Sequence, residues 1–127
     1  MIRKFEMNNE FERKTGLTSA AAAAKRGDLV VFPTDTVYGL GTDAFSKTGP
    51  QKLLAAKGRG RDMPIPVLVG HTKALEGLAA RVDVVAKSLA EAFWPGGLTI
   101  VVKMQPTLQW DLGETNNTVA LRMPLDP

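Results

Sequence analysis

The chain has 127 residues, of which 44% are hydrophobic and 23% are charged, a balance typical of one globular domain. Its 16 Lys and Arg residues exceed its 13 Asp and Glu residues, and the net charge of +3 permits anionic ligands or RNA without requiring them. The chain contains no cysteine, which excludes disulfides, thiolate zinc sites and a cysteine nucleophile. Because no apolar run approaches the roughly 20 residues of a membrane span and no signal peptide is visible, we expect a cytoplasmic chain without membrane contact.

The first half of the sequence predicts two helices and one buried strand. Residues 1–17 are polar and indicate only an edge strand at 2–7 or a loose arm. Gly27 and Gly58 each follow a helical segment, as glycines at helix ends do. The predicted elements are, in order, a helix at 20–26, a strand at 29–32, a loop at 34–41 and a helix at 51–57.

The second half alternates further strands and helices. The predicted elements are, in order, a strand at 64–69, helices at 73–80 and 82–93, a turn at 94–97, a strand at 98–104, a loop at 105–117 and a strand at 118–123. The last strand places Val119 and Leu121 on one face and Ala120 and Arg122 on the other. This alternation predicts an α/β or α+β fold with a mixed sheet.

A polar loop with glycines follows the first strand, at 33–41. It offers two threonine hydroxyls, the carboxylate of Asp35, and backbone N–H groups beside Gly39 and Gly41. Loops at strand ends are where open α/β sheets bind ligands, and glycines let a ligand approach the backbone closely. A tight polar turn without a ligand fits the same composition, so both interpretations stay open.

Three cations follow the helix predicted at 51–57. Lys57, Arg59 and Arg61 are spaced by glycines. Arg offers a planar fork for phosphate oxygens and Lys offers a point charge, so a phosphate site is one interpretation. The spacing is not that of a Walker A loop, and a solvated basic loop is the alternative.

Arg122 is a charged residue in an otherwise apolar strand. Because burying an unpaired charge is costly, it indicates a carboxylate or phosphate ligand, with an internal salt bridge to Asp35 or Asp43 as the alternative. Trp94, in a Trp-Pro-Gly-Gly turn, is predicted to fill the core. The lone His71, without cysteine or clustered carboxylates, is weak evidence for a metal, so we predict no metal site.

Taken together, four segments resemble the YrdC family. They are Pro-Thr-x-Thr-x-Tyr-Gly-Leu-Gly at 33–41, Lys-x-Arg followed by four residues and Pro at 57–64, Trp-Pro-Gly-x-Leu-Thr at 94–99, and Thr-Val-x-x-Arg-x-Pro at 118–124. Any one motif is modest, but four in register are specific. The resemblance covers about residues 18–127.

This resemblance implies both a fold and an activity. The implied fold is α/β (α+β), a twisted mixed sheet with flanking helices around a basic groove. The implied enzyme is an L-threonylcarbamoyladenylate synthase, which forms threonylcarbamoyl-AMP from L-threonine, bicarbonate or CO2, and ATP, and releases pyrophosphate. The product serves threonylcarbamoyladenosine modification of tRNA. Implied partners are the tRNA threonylcarbamoyl-transfer proteins, Mg²⁺ with the ATP, and a contact with tRNA or double-stranded RNA.

The same resemblance assigns roles at matching positions. Thr36 and Arg122 would bind threonine. Lys57 and Arg59 would bind the ATP phosphates and act as the catalytic cations. Thr118 would contact the nucleotide.

The sequence also departs from the family pattern. Met63 stands where the family often has a polar residue, and Leu68 where some members have a threonine-contacting His. Nothing matches the family's Ser-x-Asn-x-Ser-Gly-like segment, so we expect residues 1–127 to be a YrdC-like domain without its usual C-terminal portion. A non-catalytic RNA-binding module and a carbamoyl-transfer relative remain alternatives, although Tyr38 is the only tyrosine and no clear aromatic platform for RNA is visible.

Overall fold

A computed structural model of the chain describes residues 2–125. Its elements are, in chain order, α1 (Glu10–Lys25), β1 (Val30–Phe32), β2 (Gly39–Gly41), α2 (Gly49–Ala56), β3 (Val67–Leu68), α3 (Ala74–Leu78), α4 (Val84–Phe93), β4 (Ile100–Lys103) and β5 (Thr118–Arg122). Helices and strands alternate through most of the chain, so the predicted α/β class is confirmed.

Helix α1 begins ten residues earlier than the sequence predicted. Asn9 caps it, since its side chain accepts a hydrogen bond of 3.1 Å from the backbone N–H of Glu12. Two acidic residues lie in the first turn, where they favour the helix dipole. Of the two alternatives for residues 2–7, an edge strand or a loose arm, the edge strand is wrong, because these residues form no strand. Phe5 packs beside Gly16 of the helix. Gly27 ends α1 with a φ of 86°, as predicted.

The last part of the loop predicted at 34–41 is instead a strand, β2, which forms a small hairpin with β1. Strand β2 pairs antiparallel with β1, with Phe32 opposite Gly39. A Cβ on Gly39 or Gly41 would lie 3.0 or 2.7 Å from the ring of Phe32. The sequence predicts that these two glycines let a ligand approach the backbone closely. In the structure, the ring of Phe32 occupies that close position instead.

The other three strands form a mixed sheet in the order β3-β5-β4. Strand β5 is central, parallel to β3 and antiparallel to β4. Leu121 and Val119 of β5 are 0% and 2% exposed, and the core that they share includes Trp94 and Ile100. Strand β3 is shorter than the predicted 64–69, because prolines interrupt the segment that precedes it.

Leu121 is expected to be among the residues on which the fold depends most. Replacing Leu121 by Ala removes apolar atoms from a fully buried position and should lower the free energy of unfolding by about 2–5 kcal/mol. Val101, on the neighbouring strand β4, is 64% exposed, and Val101→Ala should cost less than about 1 kcal/mol. Urea unfolding of both variants measures the difference, and equal losses would contradict this account of the core.

Candidate functional site

Three segments that are distant in sequence meet at the side chain of Arg122. Its Nε donates to the carbonyl oxygen of Gly96 at 2.9 Å, and its Nη1 donates to Oγ1 of Thr36 at 3.2 Å. Its Nη2 donates to Oδ1 of Asp35 and forms an ion pair with it. The side chains of Arg122 and Asp35 are only 14% and 16% exposed, although residues 35–38 as a whole are exposed. The ion pair is therefore largely shielded from water.

The turn after α4 supplies the carbonyl group that Arg122 contacts. Trp94 anchors this turn, since it is 6% exposed and its Nε1 donates to the carbonyl oxygen of Leu98 at 2.9 Å. The backbone N–H of Gly96 in turn donates to the carbonyl oxygen of Met123 at 2.8 Å. A Cβ on Gly96 would lie 2.7 Å from the carbonyl oxygen of Phe93, so the turn requires glycine there. The prediction that Trp94 fills the core is confirmed.

The loop after β1 is braced by its own hydroxyl groups. Oγ1 of Thr34 donates to the carbonyl oxygen of Val37 at 2.5 Å and accepts from the backbone N–H of Thr36 at 3.2 Å. The two threonine Oγ1 atoms are also 3.2 Å apart. Local hydrogen bonds of this kind fix a turn. They hold Thr36 against the guanidinium group of Arg122.

Asp35 and Asp43 were the two predicted salt-bridge partners of Arg122, and Asp35 is the one that pairs with it. Asp43 instead accepts a hydrogen bond of 2.9 Å from the backbone N–H of Phe45. A guanidinium group has five N–H donors, and the described residues engage three of those of Arg122. The arginine is thus held in place without being fully occupied, and its binding of a ligand carboxylate stays a prediction.

Lys57 and Arg59 lie on either side of the glycine that ends α2. Gly58 has a φ of 63°, and its N–H donates to the carbonyl oxygen of Ala55 at 3.1 Å. The N–H of Arg59 donates to the carbonyl oxygen of Leu54 at 2.9 Å, which completes a Schellman motif. Both cationic side chains are exposed, and within residues 2–125 neither forms a side-chain hydrogen bond or an ion pair. They are therefore available to an anion.

Arg61, the third cation of this loop, forms an ion pair with Asp111 that the sequence does not predict. Its two terminal nitrogens donate to the two carboxylate oxygens of Asp111, both at 2.8 Å. The carbonyl oxygen of Arg61 also accepts from the backbone N–H of Glu114 at 2.7 Å. Asp111 lies in the long loop at 105–117, which carries no motif that would mark it. The basic loop is thus tied to a segment about 50 residues away.

Thr118 lies at the opposite end of β5 from Arg122. Because side chains alternate along a strand, both residues are on the same face, roughly 13 Å apart along the strand. Oγ1 of Thr118 donates to the carbonyl oxygen of Thr115 at 2.6 Å. Its lone pairs can still accept a hydrogen bond, but its only proton already has an acceptor.

Within residues 2–125, no three Asp, Glu or His side chains lie close enough together to hold a metal ion. Over the same range, no helix combines the length and apolar character needed to cross a membrane.

Comparisons with known proteins agree on one family. The Sua5/YciO/YrdC family model, described as telomere recombination, matches residues 22–127. A Mycobacterium tuberculosis protein named "Putative threonylcarbamoyl-AMP synthase" is 52% identical over 127 residues, which are 100% of this chain and 58% of that protein. The chain therefore spans less than two thirds of that relative's length.

More distant relatives carry the same name or fold. The threonylcarbamoyl-AMP synthase of Pyrococcus abyssi is 39% identical over 105 residues, which cover 83% of this chain and 31% of that protein. A crystal structure of P. abyssi Sua5 complexed with L-threonine matches 93% of this chain and 34% of its own, with a TM-score of 0.81 and 35% identity. The predicted fold is confirmed by this likeness.

The shape of the basic loop should depend on Gly58. Alanine at this position meets no steric obstacle within 4 Å, but it must adopt a φ of 63°, so Gly58→Ala should lower the free energy of unfolding by about 1 kcal/mol. Gly77, in helix α3, likewise has open space around it and no positive φ. Gly77→Ala should be neutral or stabilising by up to about 1 kcal/mol. Thermal or urea unfolding of both variants tests this, and losses of the same sign would contradict it.

The link between Arg61 and Asp111 should weaken in acid. The hydrogen bond from Arg61, followed by that from Gly113, lowers the pKa of Asp111 below its usual value. The stabilisation is therefore complete above the unfolded-state pKa of about 3.9 and is lost as the pH falls through the lower folded-state value. Asp111→Asn should be slightly less stable than the unmodified chain at pH 7, and the difference should shrink below about pH 4.

Urea unfolding between pH 3 and 7 measures this difference. Both side chains are about half exposed, so the effect should be small and should decrease further in 1 M NaCl. A difference that stays constant down to pH 3, or that grows with salt, would mean that the ion pair does not stabilise the loop.

Proposed function

Because this chain belongs to the Sua5/YciO/YrdC family, we propose that it provides the ATP- and threonine-binding part of an L-threonylcarbamoyladenylate synthase. The reaction joins L-threonine, bicarbonate or CO2, and ATP, and releases pyrophosphate. One observation carries the proposal: Thr36 and Arg122, the two residues expected to bind threonine, are 86 positions apart in sequence and 3.2 Å apart in space. The names of the relatives and the L-threonine in the P. abyssi structure support the same substrate.

In this proposal Arg122 holds the α-carboxylate of threonine. The guanidinium group keeps two N–H donors beyond those engaged by the described residues, and charge-assisted hydrogen bonds from arginine to carboxylates are among the stronger ones in proteins. The contacts with Gly96 and Thr36 fix the direction of these donors before the ligand arrives. Such preorganisation reduces the entropy that binding would otherwise cost.

Lys57 and Arg59 bind the ATP phosphates in this scheme, and Thr118 contacts the nucleotide. Their backbone is fixed by the turn at Gly58, and their side chains are free to follow the triphosphate. Mg²⁺ would enter as a complex with ATP, because phosphate oxygens and water suit it as ligands and the described residues provide no carboxylate cluster.

In the proposed reaction, no side chain of the protein has to form a covalent bond with a substrate. The threonine amine captures CO2 as a carbamate, a carbamate oxygen attacks the α-phosphorus of ATP, and pyrophosphate leaves. Positioning of the two substrates and stabilisation of the negative charge by Lys57 and Arg59 would supply the rate enhancement.

The wider setting follows from the same proposal. Residues 1–127 act as one YrdC-like domain, and the adenylate is passed to proteins that transfer the threonylcarbamoyl group to tRNA. ATP and tRNA meet in the cytoplasm, so we place the reaction there. The synthase names of the relatives favour the enzyme over a non-catalytic RNA-binding module.

Pyrophosphate release tests the proposed reaction directly. The 127-residue chain should release pyrophosphate from Mg-ATP and bicarbonate only when L-threonine is present. Lys57→Ala and Arg59→Ala should each reduce this release by about 100-fold, because each removes a charge that stabilises the reacting phosphates. Lys52→Ala is the matched control, since Lys52 is an exposed lysine on helix α2, the helix that precedes the basic loop. This substitution should leave the rate of release unchanged.

Two results would contradict the proposal. Pyrophosphate release that does not depend on threonine would show that the amino acid is not a substrate of this reaction. Equal rates of pyrophosphate release for the Lys52, Lys57 and Arg59 variants would show that the basic loop takes no part in the reaction.

A further inference from the structure

We propose that Asp35 is a specificity-determining residue, which accepts the α-ammonium group of an amino acid whose α-carboxylate binds Arg122. The site would then recognise zwitterionic α-amino acids and reject carboxylic acids that lack the amine. The inference rests on the proposed function in one respect, since it assumes that Arg122 is where the carboxylate binds.

The ion pair offers one free acceptor and two free donors side by side. Oδ1 of Asp35 accepts from Arg122, while Oδ2 accepts no hydrogen bond from residues 2–125. Asp35 is an exposed residue and its side chain keeps 16% of its surface accessible, so the carboxylate remains in contact with solvent. The unengaged N–H donors belong to the same guanidinium group that Asp35 contacts. A ligand therefore meets a positive and a negative charge at adjacent positions.

An α-amino acid matches this arrangement because its two charges are attached to one carbon atom. Its carboxylate can approach the guanidinium group of Arg122 while its ammonium group approaches Asp35. A carboxylate without the ammonium group would face Asp35 with nothing to offset the repulsion between like charges. With side-chain exposures of 14% and 16%, the pair is partly shielded from water, so that repulsion is screened less than at an open surface.

Asp35 need not leave Arg122 for a ligand to bind. Gly96 and Thr36 hold the guanidinium group from two other directions, so its orientation does not depend on the carboxylate alone. Among residues 2–125, Asp35 is the only charged group that is hydrogen-bonded to this guanidinium. Asp35 is therefore the negative charge that a positively charged amine at this position would meet.

The first experiment uses the unmodified chain without ATP. Calorimetric titrations compare L-threonine with 3-hydroxybutyrate, which has the same carbon chain, carboxylate and hydroxyl group but no amine. Threonine should bind at least about tenfold more tightly, since a charge-assisted hydrogen bond to a shielded carboxylate is gained. Equal affinities would overturn the inference. This comparison needs no substitution and is unaffected by any effect of one on folding.

The second experiment replaces Asp35 by Asn, which keeps the shape of the side chain and removes its charge. The preference for threonine over 3-hydroxybutyrate should fall by about tenfold, through weaker binding of threonine and unchanged or tighter binding of 3-hydroxybutyrate. Asp28→Asn is the matched control, because it removes the carboxylate of an exposed ion pair with Arg26. Its preference should equal that of the unmodified chain.

Other outcomes separate this inference from the proposed function. Tighter binding of both ligands by Asp35→Asn would show that Asp35 only competes for Arg122, and it would overturn the inference while leaving threonine as the substrate. The same titrations with L-serine and 3-hydroxypropionate test the reverse case. A preference for serine that depends on Asp35, without threonine binding, would uphold the inference and reject the proposed function. Failure of the unmodified chain to bind any amino acid would overturn both.

Discussion

The arrangement of this site depends on a charged side chain on the central strand of a sheet. Strand β5 alternates, so the face opposite Arg122 carries Val119 and Leu121 into the core and fixes the register of the strand. A register change by one residue would move the arginine into that core. The guanidinium group is therefore held on one face by apolar packing on the other, and the loop and turn that contact it are arranged around a fixed point.

The two ends of the candidate site are built on different principles. The end around Arg122 consists of contacts between separate segments, namely the loop after β1, the turn after α4 and the end of β5. The basic loop is shaped by a local helix-ending motif at Gly58 and then tied to the 105–117 loop through Arg61 and Asp111. Leu68 of β3 connects the two ends, since it follows the basic loop in sequence and lies opposite Arg122 in register.

The sequence predicted best where one local rule decides the structure. The period-two pattern of β5, the burial of Trp94 and the glycine ends of α1 and α2 all follow from backbone or burial preferences that a few residues express. The fold class also agrees with the resemblance to the YrdC family, and Thr36 and Arg122, to which that resemblance assigns one ligand, lie in contact. The strand pattern, the burial of Trp94 and the helix ends are local features that needed no knowledge of which segments meet.

Prediction failed where local signals were weak or where distant segments decide. The start of α1 lies in a polar segment, and its cap, Asn9, has no apolar periodicity beside it to mark a helix. Strand β2 contains two glycines, which in a sequence are typical of a loop. Only the folded chain shows the ring of Phe32 packed against them. The choice of Asp35 over Asp43 and the partner of Arg61 depend on segments that only the folded chain brings together.

The sequence separations at Arg122 have a consequence for how the site assembles. Its contacts join residues 26, 86 and 87 positions apart, so they form only when most of the chain has reached its final arrangement. The turn at Gly58 closes through hydrogen bonds between residues only three and five positions apart, so it depends less on the arrangement of the rest of the chain. Under the proposed function, an amino acid that bridges the distant segments would bind only the folded state, so its concentration would add to the stability of the domain. An anion held by the local turn alone would exert much less of this effect.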